Sequence, residues 1–189
     1  RKGNTGIGQV TLNFLRKLSE LKIRNPGFKD LEFVLYLEED LPRDITLSIH
    51  LEKRIFLPLW ERDDLIRKIW WEKFLLPKKV REDKCDVFIS LYQSATILPN
   101  RVKHIMVVHD IIPKLFREYL NNWRKKIYWN LTESAVKKAE KIIANSKRTE
   151  KDLIQHLGIS PVKITVAYVD VDDIYKHAVS PEKSRLIME

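Results

Sequence analysis

The segment Ile105-Met106-Val107-Val108 carries apolar side chains at successive positions and breaks off at His109-Asp110, with Ile111, Ile112 and Pro113 following. A strand that is apolar on both faces must be covered on both faces, and that is the condition of an inner strand in a parallel sheet flanked by helices. In open sheets of that class, ligands bind just beyond the carboxyl ends of the strands. His109 and Asp110 fall at that position.

The rest of the chain alternates between the two periodicities. Gln9 to Ile23 places Val10, Phe14, Leu18 and Leu21 near one face of a helix, which Asn25-Pro26-Gly27 stops. Residues 32–37 form a short β-rich run, and residues 45–52 alternate apolar with polar as a half-exposed strand does. Asp63 to Leu76 carries Leu65, Ile66, Ile69, Trp70, Phe74 and Leu75, an amphipathic helix that Pro77 should end. Strands follow at 86–91 and 103–108, then a helix over 122–139 whose inward candidates are Ile127, Leu131, Val136 and Ala139. A strand at 141–144 leads to a helix over 147–157, with Ser146 as its N-cap and Gly158 as its C-cap. Residues 162–169 make one more strand before an acidic, irregular tail. Strands separated by helices of this length imply βαβ units and a doubly wound, mostly parallel α/β sheet.

With 189 residues, 44% of them hydrophobic, the chain has the material for one well-filled core. No window of about 20 apolar residues occurs, so no helix spans a bilayer. The first residues show no apolar leader segment, and a cytoplasmic location is the expectation. The single Cys85 excludes disulfides within the chain and cysteine-rich metal sites. A formal net charge of +9 calls for an anionic partner or serves solubility. The basic clusters, Lys78-Lys79, Arg124-Lys125-Lys126, Lys137-Lys138 and Lys147-Arg148, lie on expected helices, where a solvated face is the plain explanation. Trp60, Trp70 and Trp71, beside Lys68, Lys73, Lys78 and Lys79, form either a patch for an anionic membrane surface or an aromatic core fringed by lysines. A nucleic-acid-binding module would also account for the charge, but no helix-turn-helix, zinc or RNA-binding aromatic signature accompanies it.

Three features carry candidate chemistry. A neutral imidazole at a strand end, as His109 offers, can donate to or accept from a sugar hydroxyl; it can equally be a hydrogen-bonded histidine at the edge of the core. Asp110 can orient that ring or a substrate hydroxyl, or cap the turn toward Pro113. Gly6-Ile7-Gly8 at a helix start offers backbone amides to an anion, or merely reverses the chain. No Gly-Lys-Ser/Thr follows those glycines, no full dinucleotide fingerprint is present, and no Gly-x-Ser-x-Gly elbow supports hydrolysis. No carboxylate pair has a glycosidase context.

The order of these pieces resembles one family. Gly6-Ile7-Gly8-Gln9-Val10-Thr11 with Asn13-Phe14-Leu15 is similar to the Gly-Ile-Gly-Arg-Tyr-Thr-x-Asn-Leu turn and helix of group 1 (family 4) glycosyltransferases. Val107 to Pro113 resembles their Val-His-Asp-Ile-x-Pro segment, and Ala139 to Leu153 their Ala-x-x-Ile-Ile-x-x-Ser…Asp-Leu segment. Leu157 to Val166 is similar to the Leu-Gly-Ile…Lys-Ile-x-Val strand that follows.

That resemblance implies the Rossmann-like N-terminal, acceptor-side half of a two-domain GT-B enzyme over residues 1–170, with 171–189 as a hinge or the start of a donor-binding half. Such a turn ordinarily follows a buried first strand, which is expected to be missing here, and the chain by itself is expected to be inactive. The implied activity is transfer of a sugar from a nucleotide-sugar donor to an acceptor hydroxyl of a saccharide or lipid, with retention and no obligatory metal or other cofactor. By the same resemblance His109 is the catalytic candidate and reaches the transferred sugar. Gly6 and Gly8 face the donor, while Asp110, Tyr92, Gln93 and Ser146 are candidate donor or acceptor contacts. The family's Arg-Tyr is replaced here by Gln9-Val10, and its Asn-Gly-Val-Asp by Val169-Asp170-Val171-Asp172. A sugar-binding or scaffolding domain that kept the fold without catalysis is the alternative.

Overall fold

The computed structural model describes residues 6–28, 30–41, 52–57 and 64–168. Helix α1 (Gly6–Arg24) is followed by strands β1 (Val34–Leu37) and β2 (Glu52–Ile55). Next comes an unbroken helical run made of α2 (Asp64–Trp70), a π-helical turn (Trp71–Leu75) and α3 (Leu76–Glu82). Strands β3 (Val87–Ser90) and β4 (Lys103–Val108) precede α4 (Ile112–Leu115), a 3-10 turn (Arg117–Leu120) and α5 (Trp123–Lys138). Strand β5 (Lys141–Ala144), α6 (Lys147–Leu157) and β6 (Ile164–Val166) complete the order.

Every strand pairing among the described residues is parallel. β1 pairs with β2, and β3-β4-β5-β6 form a second sheet in chain order. Parallel neighbours need a crossover, and α5 and α6 supply it between β4, β5 and β6. The α/β class and the parallel sheet anticipated from the sequence are the ones observed.

The main core lies around β4 and β5. Met106, Val108, Ile142 and Ala144 are fully buried, and Trp129, Ala135 and Val136 of α5 and Leu153 of α6 pack with them. Ile105 and Val107, on the other face of β4, are half-buried. A second cluster joins Trp71, Leu76, Val80 and Val102, with Tyr36, Phe56 and Phe88 against it, and so ties β1 and β2 to α3 and β3. Tyr36 also donates its hydroxyl to Asp83 (2.8 Å), and burial together with Cys85 and Asp83 raises its pKa well above the ordinary phenol value.

Several expectations are corrected. Helix α1 begins at Gly6 rather than Gln9, because glycine takes helical dihedrals as readily as turn ones once the following residues propagate the helix. Among its described residues the deeply buried positions are Gly8, Leu15 and Ser19, while Phe14 and Leu21 are exposed. Pro77 does not end the second helix. The π turn widens the spiral just ahead of it, moving the carbonyl that the proline ring would otherwise meet, and the helix runs on to Glu82. Most of the strand expected at 45–52 lies outside the described residues, and β2 starts where it was expected to end. Its Glu52-Lys53-Arg54 run is tolerated because these side chains stay near solvent. Ile127 is exposed rather than inward, since the core face of α5 is Trp129, Thr132, Ala135 and Val136, round the opposite side of the helix. β6 spans only Ile164–Val166, because Pro161 to Lys163 form a 3-10 turn in place of its first residues. Trp60 and the tail from 169 onward lie outside the described residues.

Candidate functional site

The carboxyl ends of β3 and β4 emerge side by side, and hydrogen bonds between their following loops build the site. His109 stands one residue past β4. Its Nε2 lies 3.0 Å from the carbonyl oxygen of Leu91, which immediately follows β3. A carbonyl only accepts, so Nε2 carries the proton, and a neutral ring then presents Nδ1 as an acceptor.

Gln93 fixes the backbone of the same turn from both sides. Its Oε1 accepts from the His109 amide (3.3 Å), and its Nε2 donates to the Asp110 carbonyl (3.2 Å). Asp110 turns its own carboxylate back on the chain, where Oδ1 accepts from the Ile112 amide (3.0 Å) and closes an Asx turn into α4. From the other side, the Thr149 hydroxyl lies 3.0 Å from the His109 carbonyl and 2.8 Å from Asn145 Oδ1. Ser146 caps α6 as the sequence indicated, accepting from the Thr149 amide at 3.1 Å. Gly158 closes that helix in the left-handed conformation, φ 67°.

Tyr92 belongs to a neighbouring arrangement that sequence reasoning missed. Glu72, in the π turn, is fully buried. Its carboxylate accepts from the Tyr92 hydroxyl (2.9 Å), from the Ala95 amide (2.8 Å), and from the Tyr128 hydroxyl at 3.2 Å and 3.0 Å to its two oxygens. The Lys68 ammonium sits 3.5 Å from it and lies over the rings of Tyr92 (5.0 Å) and Tyr128 (4.7 Å). Burial, then the nearby Glu72, pushes the Tyr92 pKa well above its ordinary value, so this hydroxyl stays a donor. Lys68 and Glu72 stand at the i,i+4 spacing of a surface ion pair, and nothing local marks them as interior. Their partners lie 20 and 56 residues away from Glu72.

The loop after β3 is therefore held at two points. Glu72 fixes Tyr92 and Ala95, and between them Gln93 grips the His109 turn. Gly6 and Gly8 lie in the first turn of α1, Gly8 buried. Of the three tryptophans beside the lysines, Trp70 is 40% exposed, Trp60 lies outside the described residues, and Trp71 is interior. Trp71 is 6% exposed, stacks on Phe56 at 5.4 Å and donates its indole N–H to the Phe56 carbonyl, so it belongs to the core, and Lys68 is turned to Glu72, Tyr92 and Tyr128.

Among the described residues no group of three or more His, Cys, Asp or Glu side chains is arranged to hold a metal ion, and no helix is long and apolar enough to cross a membrane. No curated protein and no solved structure matches the chain. A family model described as Glycosyltransferase Family 4 does match, over residues 5–173. That span contains α1, the His109 turn, the capped α6 and β6 in the order the motifs required. The chain belongs to glycosyltransferase family 4.

Proposed function

We propose that this chain is the acceptor-side half of a retaining GT-B glycosyltransferase, which moves a sugar from a nucleotide-sugar donor to a hydroxyl of a saccharide or lipid-linked acceptor. The observation that supports it most is the His109 ring, held through Nε2 beyond the carboxyl end of a parallel sheet so that Nδ1 is left to accept a hydroxyl proton. Such a ring needs no reorganisation when the substrate arrives, and fixed polar groups of this kind are what stabilise an oxocarbenium-like sugar.

The other site residues take supporting parts in this reading. Gln93 and Asp110 set the position of the His109 backbone, and Glu72 acts behind them through Tyr92 and Ala95. Ser146 holds the start of α6, whose Thr149 reaches the His109 carbonyl. The first turn of α1, with Gly6 and Gly8, has the positive end of the helix dipole to offer a donor phosphate. The donor-binding half lies outside this chain in the proposal, and the cleft closes between the two halves. In this reading the nucleotide sugar is a substrate, the transfer needs no metal or other cofactor, and the reaction takes place on the cytoplasmic side.

The test is an assay of the complete protein against a panel of nucleotide sugars and acceptors, reading released nucleoside diphosphate and the anomeric configuration of the product. Acceptor-dependent release with retained configuration is the expected result. An inverted product would overturn the retaining mechanism, and a folded protein that binds sugars without turnover would favour the non-catalytic alternative.

A further inference from the structure

The segment that leaves the site carries an apolar surface that the fold does not cover. The chain passes from His109 through the Ile111 turn, whose carbonyl receives the Lys114 and Leu115 amides, into α4 and the 3-10 turn. Leu115 and Leu120 pack inward on the main core, while Phe116 and Tyr119 point outward, 49% and 55% exposed, with ring centroids 6.5 Å apart. Trp123 and Ile127 continue outward on one face of α5, 61% and 45% exposed. Four large apolar side chains thus stand near solvent within the twelve residues 116–127. A soluble surface rarely tolerates such a concentration without a use for it.

The charge around them names the partner. Between 114 and 127 the chain carries the cations Lys114, Arg117, Arg124, Lys125 and Lys126 against a single acid, Glu118. The Arg124 guanidinium lies 5.3 Å from the Trp123 ring, and Lys114 pairs with Glu133. Arg117, Lys125 and Lys126 have no ion-pair partner among the described residues. Amphipathic aromatics settle at the headgroup level of a bilayer, and cations beside them pair with anionic lipid phosphates. Trp70 and Phe74, in tilted contact with ring centroids 4.6 Å apart on α2 and the π turn, form a second exposed pair, but there Lys78 and Lys79 are paired with Glu82.

We propose that residues 114–127 dock the protein on an anionic bilayer surface, with Phe116, Tyr119, Trp123 and Ile127 in the interfacial zone and the cations on the headgroups. The patch begins a few residues past His109, so docking presents the site to molecules anchored in that surface. That the acceptor is such a molecule, a lipid-linked sugar or lipid hydroxyl, rests on the transferase reading; the docking does not.

The experiment is sedimentation of the complete protein with vesicles of phosphatidylcholine alone and of equal parts phosphatidylcholine and phosphatidylglycerol. Binding to the second and not the first, weakening with added salt, is expected. Lys125→Gln with Lys126→Gln should lower the partition by about 25-fold, roughly fivefold per charge. Phe116→Ser with Trp123→Ser should lower it by about tenfold or more, and Phe74→Ser should leave it unchanged. These side chains are exposed, so unchanged circular dichroism checks that the variants fold. Absence of anionic-vesicle binding, or binding that neither double variant reduces, overturns the proposal. So does self-association that the aromatic variant abolishes in a protein that ignores vesicles, which would assign the face to a second copy. Docking without any sugar transfer would leave this surface standing and remove the transferase reading; transfer to soluble acceptors without docking would do the reverse.

Discussion

Replacing Glu72 with glutamine removes a charge from the interior while keeping its shape. The carboxylate accepts from the Tyr92 hydroxyl, the Tyr128 hydroxyl and the Ala95 amide, at 2.8 to 3.2 Å, with Lys68 3.5 Å away. A hydrogen bond to a charged group contributes about 1.5–3 kcal/mol and a neutral one about 0.5–1.5, so each of the three donors loses about 1 kcal/mol. The side-chain amide introduced by Glu72→Gln offers only one accepting atom. The Ala95 N–H cannot turn away, so that oxygen faces it, and the tyrosine hydroxyls rotate to accept from the new NH₂. Lys68, with 18% of its side chain exposed, keeps the two aromatic faces and loses its counter-charge. The sum is a loss of about 3 kcal/mol, softened by the carboxylate no longer needing desolvation. At a urea slope of about 2 kcal/mol per molar, the unfolding midpoint should fall by about 1.5 M. Tyr128→Phe should cost about 1 kcal/mol in the same measurement. A midpoint for E72Q equal to or above that of the native protein would refute the reasoning, because it would show that the carboxylate contributes nothing its neutral form does not.

Three other outcomes follow from the same structure. Gln93→Leu removes both clamps on the His109 turn, and turnover should fall by about tenfold with KM for the donor little changed; equal loss in a Leu at an unrelated exposed position would remove the positioning role. His104, buried and 2.8 Å from the Ser90 hydroxyl, has its pKa lowered by burial from 6.5 to about 4. The unfolded chain then takes up a proton between those values that the fold refuses. Stability present above pH 6.5 is lost as pH falls toward 4, by about 3 kcal/mol in total. Urea midpoints near neutrality and near pH 5 should converge in His104→Gln, and an unaltered pH dependence would contradict the assignment. Gly158→Ala meets no atom within 4 Å of the added methyl but keeps φ at 67°, so it should cost about 1 kcal/mol of stability from backbone strain alone.

Much of the fold is legible where local rules act alone. The Ile105–Val108 run sets an inner strand because four apolar residues in a row have only one comfortable place, and Ser146 and Gly158 mark the ends of α6 through caps that need nothing from elsewhere. The limits of α2 and α3 were not legible, because proline ends a regular helix and only the π turn makes Pro77 harmless. Ile127 misleads for a related reason. Apolar spacing shows that a face exists, and only Trp129, Thr132 and Val136 packing on the sheet decide which face it is. At the site, the strand-end position of His109 was legible, but the contacts of Gln93 and Glu72 depend on partners far along the chain. Gln93 reads as a candidate substrate contact, and its grip on the backbone of His109 and Asp110 shows only when the β3 and β4 loops are seen to meet.

The central claim is that His109 acts on the transferred sugar. The most direct measurement is kcat for sugar transfer by the complete protein carrying His109→Ala, with donor and acceptor saturating and the urea midpoint recorded beside it. The substitution removes the Leu91 hydrogen bond, worth about 1 kcal/mol, so the fold should survive, while kcat should fall by about 10² or more. Turnover at the native rate in a folded His109→Ala protein would make the ring a tether for the β3 loop and nothing more.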